Sequence, residues 1–344
     1  MKFEAATIKD IAKALGLSTS TVSRALRDSH EISEATKKKI RDYAAEINYR
    51  PNPVALSLKE KRTLSIGVVV SEIANTFFSQ VINGIESIAY KNGYNVIITQ
   101  SRESLEREQM ILDYLTSRSI DGLIISISSE TNDFTSLKQL HEKRLPIVFF
   151  DRVVEEINTH KVITDNFQGV YQATTHLIKN KFRRIGIIAS NANLAITRER
   201  LAGYLQALVD NKMIVDKSLI RYCSHGGSDV EEVETAVEDL LKLKKKPDAL
   251  VLLADKITTE TFSILKREKI QIPKDMGVIG FNNSKYTSLF APALSVIRQP
   301  AFEMGEKAAT LLLNLIESKR AVTDFRLESL APEIIIRESS QNSR

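Results

Sequence analysis

From Leu64 onward the sequence alternates short apolar runs with helix-length amphipathic stretches, and this alternation restricts the fold more than any other feature. Leu64-Ser65-Ile66-Gly67-Val68-Val69-Val70 reads as a buried strand, and runs at 95–99, 122–126, 147–150, 184–189, 249–253 and 276–280 read alike. Helices are expected near 77–91, 104–117, 166–180, 195–210, 229–243, 256–267 and 301–318. Strands separated by helical crossovers pair in parallel, which predicts a doubly wound α/β architecture. Pattern alone leaves open whether the strands form one sheet or two.

The first 62 residues follow a different rule. They hold 13 Lys and Arg against 8 Asp and Glu, while the remaining chain holds 35 of each, so the whole net charge of +5 lies in this segment. A basic segment on a neutral body marks a candidate polyanion-binding module. No run approaches the length of apolar sequence that a membrane-spanning helix needs, and the N-terminus carries no apolar signal core. A cytoplasmic protein is expected, without membrane partners. The single cysteine, Cys223, forms no internal disulfide, in keeping with a reducing compartment. The five histidines are scattered, so no metal or cofactor is expected.

The basic segment reads as three capped helices. Thr7 precedes Ile8–Leu15 with Asp10 as its capping-box partner, and Gly16 suits the left-handed turn of a sharp corner. Ser18 caps Thr19–Leu26, and Ser33 caps a helix from Glu34 to about Asn48. Ile11, Leu15, Leu17, Val22 and Leu26 can form one small core. The second helix has a hydroxyl-rich outer face and an Arg, as a DNA-reading helix-turn-helix does. By spacing alone, a three-helix bundle with a polar face is the alternative.

Thr7-Ile8-Lys9-Asp10-Ile11-Ala12, Leu17-Ser18-Thr19-Ser20-Thr21-Val22-Ser23-Arg24-Ala25-Leu26 and Asn48-Tyr49-Arg50-Pro51-Asn52-Pro53-Val54-Ala55-Leu56-Ser57-Leu58 resemble the headpiece and hinge of the LacI/GalR family of bacterial regulators. The resemblance continues through Asn75-Thr76-Phe77, Phe150-Asp151-Arg152, Asp165-Asn166, Arg200-Leu201-Ala202-Gly203-Tyr204, Val278–Asn282 and Pro292–Pro300. It implies a small all-α helix-turn-helix headpiece (1–50), a hinge helix and linker (51–62), and a two-lobed periplasmic-binding-protein-like α/β body with parallel sheets (63–338). Lobe one would span about 63–163 and 293–323, lobe two about 164–292 and 324–338, with crossovers near 163, 292 and 323 and a polar tail at 339–344.

Carried over residue by residue, the resemblance places Thr19, Ser20 and Arg24 where base edges are read, and Arg24 can grip guanine O6 and N7. Thr7, Ser18, Thr21, Ser23, Ser33 and Tyr49 become candidate backbone contacts, as does Arg27, which stands where the family often carries Asn. Asn52, Ala55 and Leu58 fall in the hinge, with Leu58 as the side chain that wedges into the minor groove. Two headpieces imply a homodimer on double-stranded, roughly palindromic operator DNA.

In such bodies a small-molecule effector sits between the lobes at the carboxyl ends of the strands. That selects Asn75, Phe77, Ser101, Asp151, Arg200, Asp255 and Asn282. A guanidinium, carboxylates and amides suit a polyhydroxylated molecule, so a sugar or sugar derivative is the first expectation. For each of Arg200, Asp151 and Asn282, a structural ion pair or loop cap is the alternative role. Asn282 departs from the Asp that many sugar-sensing relatives carry. A transport solute-binding protein would share the body but has no use for residues 7–58. An enzyme would need convergent catalytic groups or a phosphate-cradling Gly loop, which the sequence lacks. The reading is therefore a ligand-controlled DNA-binding regulator, expected to repress.

Overall fold

The computed structural model describes residues 6–49 and 62–342. It divides into two compact units, Met1–Thr63 and Leu64–Arg344.

The small unit holds α1 (Ile8–Leu15), α2 (Thr19–Leu26) and α3 (Glu34–Glu46). Thr7 Oγ1 accepts from Asp10 N while Asp10 returns a bond to Thr7 N, which completes the capping box. Gly16 ends α1 at φ 65°, where an L side chain would be strained. Ile11, Val22, Ala25, Ile40 and Ala44 are buried together, with Leu15, Leu17, Leu26 and Tyr49 packed around them.

The large unit contains two six-stranded sheets. The first runs β11-β5-β4-β3-β1-β2, built from β1 (Ser65–Val70), β2 (Asn95–Gln100), β3 (Gly122–Ile125), β4 (Ile147–Phe150), β5 (Lys161–Thr164) and β11 (Leu327–Leu330). The second runs β12-β10-β9-β8-β6-β7, from β6 (Ile185–Ala189), β7 (Ile220–Tyr222), β8 (Ala249–Leu252), β9 (Gly277–Phe281), β10 (Ser295–Arg298) and β12 (Glu333–Ile335). Every ladder is parallel except β10–β12.

Helices cover both faces of each sheet. In lobe one these are α4 (Thr76–Lys91), α5 (Leu105–Ser117), α6 (Thr135–Glu142) and α11 (Ala301–Glu317); in lobe two they are α7 (Asn166–Lys179), α8 (Ala195–Asp210), α9 (Val230–Leu241) and α10 (Asp255–Arg267). Central strands buried on both faces read as unbroken apolar runs, which is why β1, β3, β4, β6, β8 and β9 stand out in the sequence.

Three expectations need correction. β10 pairs with β9, so the chain leaves the second lobe at Gln299–Pro300 and not near 292. β11 pairs with β5 in the first sheet, which moves the last crossing from near 323 to 331–332. Both strands are edge or near-edge elements of four residues, too short to declare themselves by pattern. The third correction concerns the supposed polar tail. Ser339 and Ser340 are fully buried. Ser339 Oγ donates to the Val278 carbonyl at 2.7 Å and accepts from Ser295 N at 2.8 Å, while Ser340 Oγ lies 2.8 Å from His176 Nε2. These hydroxyls satisfy backbone and ring groups at the end of the second sheet, a role that composition alone makes look like solvent exposure.

Candidate functional site

In the small unit, α2 turns Val22 and Ala25 into the core and leaves Thr19, Ser20 and Arg24 exposed. Ser18 Oγ accepts from Thr21 N at 3.0 Å and lies within hydrogen-bonding distance of Ser20 and Thr21 hydroxyls. Ser33 caps α3 through Thr36 N, as Thr7 caps α1. These three hydroxyls are thus structural first. The helix N-termini that they complete present N–H groups and partial positive charge suited to phosphate oxygens.

Arg24 Nη1 holds Glu31 Oε2 at 2.7 Å, and both side chains are exposed. Arg27 bends back to its own helix, donating to the Ser23 carbonyl at 3.0 Å and to the Ser23 hydroxyl. Tyr49 is half-buried against the small core. Asn52, Ala55 and Leu58 lie outside the described residues.

In the large unit a cleft opens where the strands of both sheets end, with about 640 Å³ of empty space counting its mouth. Asn75, Phe77, Asp151, Arg200 and Asp255 line it together. Arg200 projects from the first turns of α8 and is 5% exposed. Its Nε donates to Asn166 Oδ1 at 2.8 Å and its Nη1 to the Leu253 carbonyl at 2.6 Å. The guanidinium carbon lies 3.7 Å from the centre of the Phe281 ring. Burial lowers its pKa to about 10, with Asp151 acting the other way, so Arg200 remains a cation at neutral pH.

Asp151 follows β4 in a left-handed conformation, φ 56°, and accepts from Gln299 Nε2 at 3.3 Å. Gln299 also reaches Thr164 Oγ1, so one amide spans residues beside two crossovers. Asn75 spends its carbonyl on the N-terminus of α4 through Phe77 N. Burial pushes the Asp255 carboxyl up to about 6, against the opposing bond from Asn283 N.

Two expected contacts do not reach the cleft. Ser101 is fully buried behind it, because Arg102 and Glu103 both take left-handed backbone (φ 51° and 63°) and the turn aims Glu103 inward instead. Asn282 is 1% exposed, its amide spent on Asp255 Oδ1 and on Ser284 N.

Several lining residues went unselected in the sequence. Glu103 pairs with Arg152; burial alone would raise its pKa, but the guanidinium holds the carboxyl down at about 2. Glu72 and Lys256 meet at 2.6 Å and tie the two lobes across the mouth. Nearby, also between the lobes, Gln80 Nε2 donates to the Asn283 backbone carbonyl and Gln80 Oε1 accepts from Asn283 Nδ2. Arg152 and Gln299 lay inside recognisable segments, whereas a lone Glu or Lys carries no signal of its own. His225, Asp229 and Glu232 bring one ligand atom each within 4.8 Å of the others at the surface, with His225 already bonded to Glu232.

Comparison with known proteins agrees with both units. Residues 7–52 match the family described as bacterial regulatory proteins, lacI family, and residues 63–329 match the periplasmic binding proteins and sugar binding domain of the LacI family. The HTH-type transcriptional repressor PurR of Aliivibrio salmonicida is 30% identical over 97% of this chain and 98% of its own. The PurR of Aliivibrio fischeri is 31% identical over 98% and 99%. Among solved structures, a transcriptional regulator CelR–cellobiose complex shares 26% identity at a TM-score of 0.73, covering 97% of this chain and all but 1% of that one. The lac repressor dimer bound to operator and the anti-inducer ONPF shares the fold, with a TM-score of 0.83 over 98% of this chain and 99% of that one at 24% identity. The chain belongs to the lacI family of bacterial regulatory proteins and is a DNA-binding transcriptional regulator, not an enzyme.

Proposed function

We propose that this regulator represses transcription as a homodimer on roughly palindromic operator DNA, and that a small molecule held between the lobes controls it. The PurR relatives, which match it end to end, bear the name of repressors. In each headpiece Thr19, Ser20 and Arg24 read base edges, and Ser18, Thr21, Ser23, Arg27, Ser33, Thr7 and Tyr49 orient the domain on phosphates. Asn52, Ala55 and Leu58 serve the minor groove. Operator DNA places this work in the cytoplasm.

The observation that carries the effector reading is Arg200. A buried guanidinium, set over the Phe281 ring and fixed by two hydrogen bonds, lines with Asp151 a cleft that also holds Asp255. Such a set offers a fork of donors and two acceptors around one void, which suits vicinal hydroxyls, while Phe77 supplies a face for a ring. A sugar or sugar derivative remains the first candidate, supported by the cellobiose complex of the related CelR. The lobes are joined across the mouth by Glu72–Lys256, so a ligand that alters this closure biases the body between two states.

A thermal-shift screen of sugars, sugar phosphates and nitrogenous ring compounds tests the reading, because a ligand of the native state raises Tm. The expected hit also changes operator affinity in a gel shift and loses its effect in an Arg200 variant. A hit that leaves operator affinity unchanged refutes its role as effector.

A further inference from the structure

The second sheet has a strongly cationic end. β7, β6 and β8 are parallel neighbours in that order, so the connections entering them meet at one end of the sheet. These segments, 211–219, 180–184 and 242–248, hold nine Lys and Arg against Asp216 and Asp248 alone. Both carboxylates are committed. Asp216 pairs with Arg184 at 2.8 Å, and Asp248 accepts from the backbone N–H groups of Arg183 and Arg184. Lys181, Arg183, Lys212, Lys217 and Lys244–Lys246 are exposed, and the described residues give them no ion pair. The body as a whole is neutral, so this pole is a local excess, not a share of a general one.

Amid these charges lies a concavity with about 760 Å³ of empty space counting its mouth, with Ile185, Leu208, Met213, Ile214 and Leu219 as its apolar wall and Arg183, Lys212 and the Arg184–Asp216 pair at its polar side. Ile214 is 88% exposed at its lip, with Val209 and Val215 exposed nearby. Single exposed aliphatics are ordinary on protein surfaces; one at the lip of a hollow that also carries the cations Arg183 and Lys212, with two more exposed close by in sequence, is not. The pole lies at the opposite end of the strands from the effector cleft, so the ligand machinery does not account for it.

We propose that this pole docks a partner protein through an acidic segment carrying one apolar anchor side chain. The cations steer and hold the carboxylates, and the anchor fills the hollow beside Ile214. A nucleic-acid backbone satisfies the charge but offers no apolar group to the hollow, which is why a protein segment fits better.

The test uses the full-length protein and an array of Glu/Asp-rich peptides of about a dozen residues, whose central position carries every amino acid in turn. Leu, Ile, Met or Phe at the centre should bind at least about fivefold tighter than Ser, by roughly the burial of one aliphatic side chain. The K244E/K245E/K246E variant should bind every peptide at least about tenfold more weakly, and Ile214→Ser should erase the preference for an apolar centre while leaving the charge dependence. All these positions are exposed, and equal melting temperatures confirm intact folds. Binding that ignores the central residue overturns the proposal, as does no binding at about 1 mM peptide. A non-operator duplex whose affinity falls with the lysine reversals, in the absence of any peptide preference, assigns the pole to nucleic acid instead.

Discussion

Asn282 donates through Nδ2 to Asp255 Oδ1 at 2.9 Å, so a buried amide, and not a cation, is the side-chain partner of the cleft carboxyl. An amide cannot compensate a carboxylate as a guanidinium does, and burial accordingly pushes Asp255 up to about 6 from an ordinary 3.8. The folded protein then holds this proton more tightly than the unfolded chain. The resulting stabilisation is complete below about pH 4 and is lost as pH rises through about 6. Asp255→Asn removes that loss and should be more stable than wild type at pH 7.5 by about 1–3 kcal/mol, with a flatter profile between pH 4 and 6. Urea midpoints across that range check it; parallel profiles would show that Asp255 is ionised throughout.

Arg200 both lines the cleft and braces the lobe, and only the first bears on the proposed effector contact. Truncation to Ala leaves the Leu253 carbonyl and Asn166 without their donor, and should destabilise the body by about 2–4 kcal/mol. Arg200→Lys separates the roles, because it keeps a cation but loses the planar fork and the stack on Phe281. We expect effector affinity to fall at least about tenfold in the Lys variant while ligand-free operator binding stays within a few fold, since only ligand contacts distinguish the two. In cells, a repressor released by its effector would then show permanent repression, and a co-repressed one permanent expression. Titration calorimetry alongside gel shifts decides; wild-type effector affinity in a stable Arg200→Lys protein removes Arg200 from the ligand contacts.

The proposed base reader Arg24 is held by Glu31, which would have to give it up to DNA. Their pair is exposed on both sides, so it is worth at most about 1 kcal/mol and must open before Arg24 can reach a base edge. Glu31→Ala should therefore tighten operator binding a few fold per half-site. Arg24→Ala should weaken it by about 1–3 kcal/mol per half-site and relax the preference at one base pair. Fluorescence anisotropy on operators substituted one base pair at a time reads both effects. Equal sequence preference in wild type and Arg24→Ala means that another residue reads that base.

Apart from α6, the helices of both units and the central strands were legible because each rests on a local rule: a cap or corner, an amphipathic period, or an apolar run buried on two faces. That helix has only eight residues, and Phe134 at its start makes no side-chain cap. Thr7, Ser18 and Ser33 mark their helix starts to the residue. The edge strands β7, β11 and β12 were not legible, because three or four half-exposed residues carry no distinct period. In the cleft, Asp151, Arg200 and Asp255 could be picked out because they follow strand ends directly or lie in a recognisable segment. Glu103 could not, since only the two consecutive left-handed residues decide that it, and not Ser101, points inward. Lys256 could not either, as its partner Glu72 lies on the other lobe, and no local rule pairs residues so far apart.

Two glycines set how closely lobe one can pack. A Cβ on Gly84 would stand 2.1 Å from the Phe302 carbonyl oxygen, and one on Gly305 would stand 2.1 Å from that of Val81. The contacts are reciprocal: α4 and α11 cross with backbone against backbone, and neither obstacle can rotate away as a side chain could. Gly84→Ala must push the helices apart and open gaps around Val81, Met304 and Ala308, which are all fully buried. Overpacking of this kind costs about 1–3 kcal/mol or more. Gly93 supplies the contrast: its φ of 74° strains any side chain, yet nothing lies within 4 Å, so Gly93→Ala should cost only about 1 kcal/mol. The two variants should also differ in function. The first turns of α4 carry Asn75 and Phe77 into the cleft, so shifting that helix should weaken effector binding, whereas Gly93 sits beyond its far end. Chemical denaturation and effector titration of both proteins test the pair together. A Gly84→Ala protein as stable as Gly93→Ala, with unchanged effector affinity, would show that the helix crossing tolerates a methyl group and does not position the cleft.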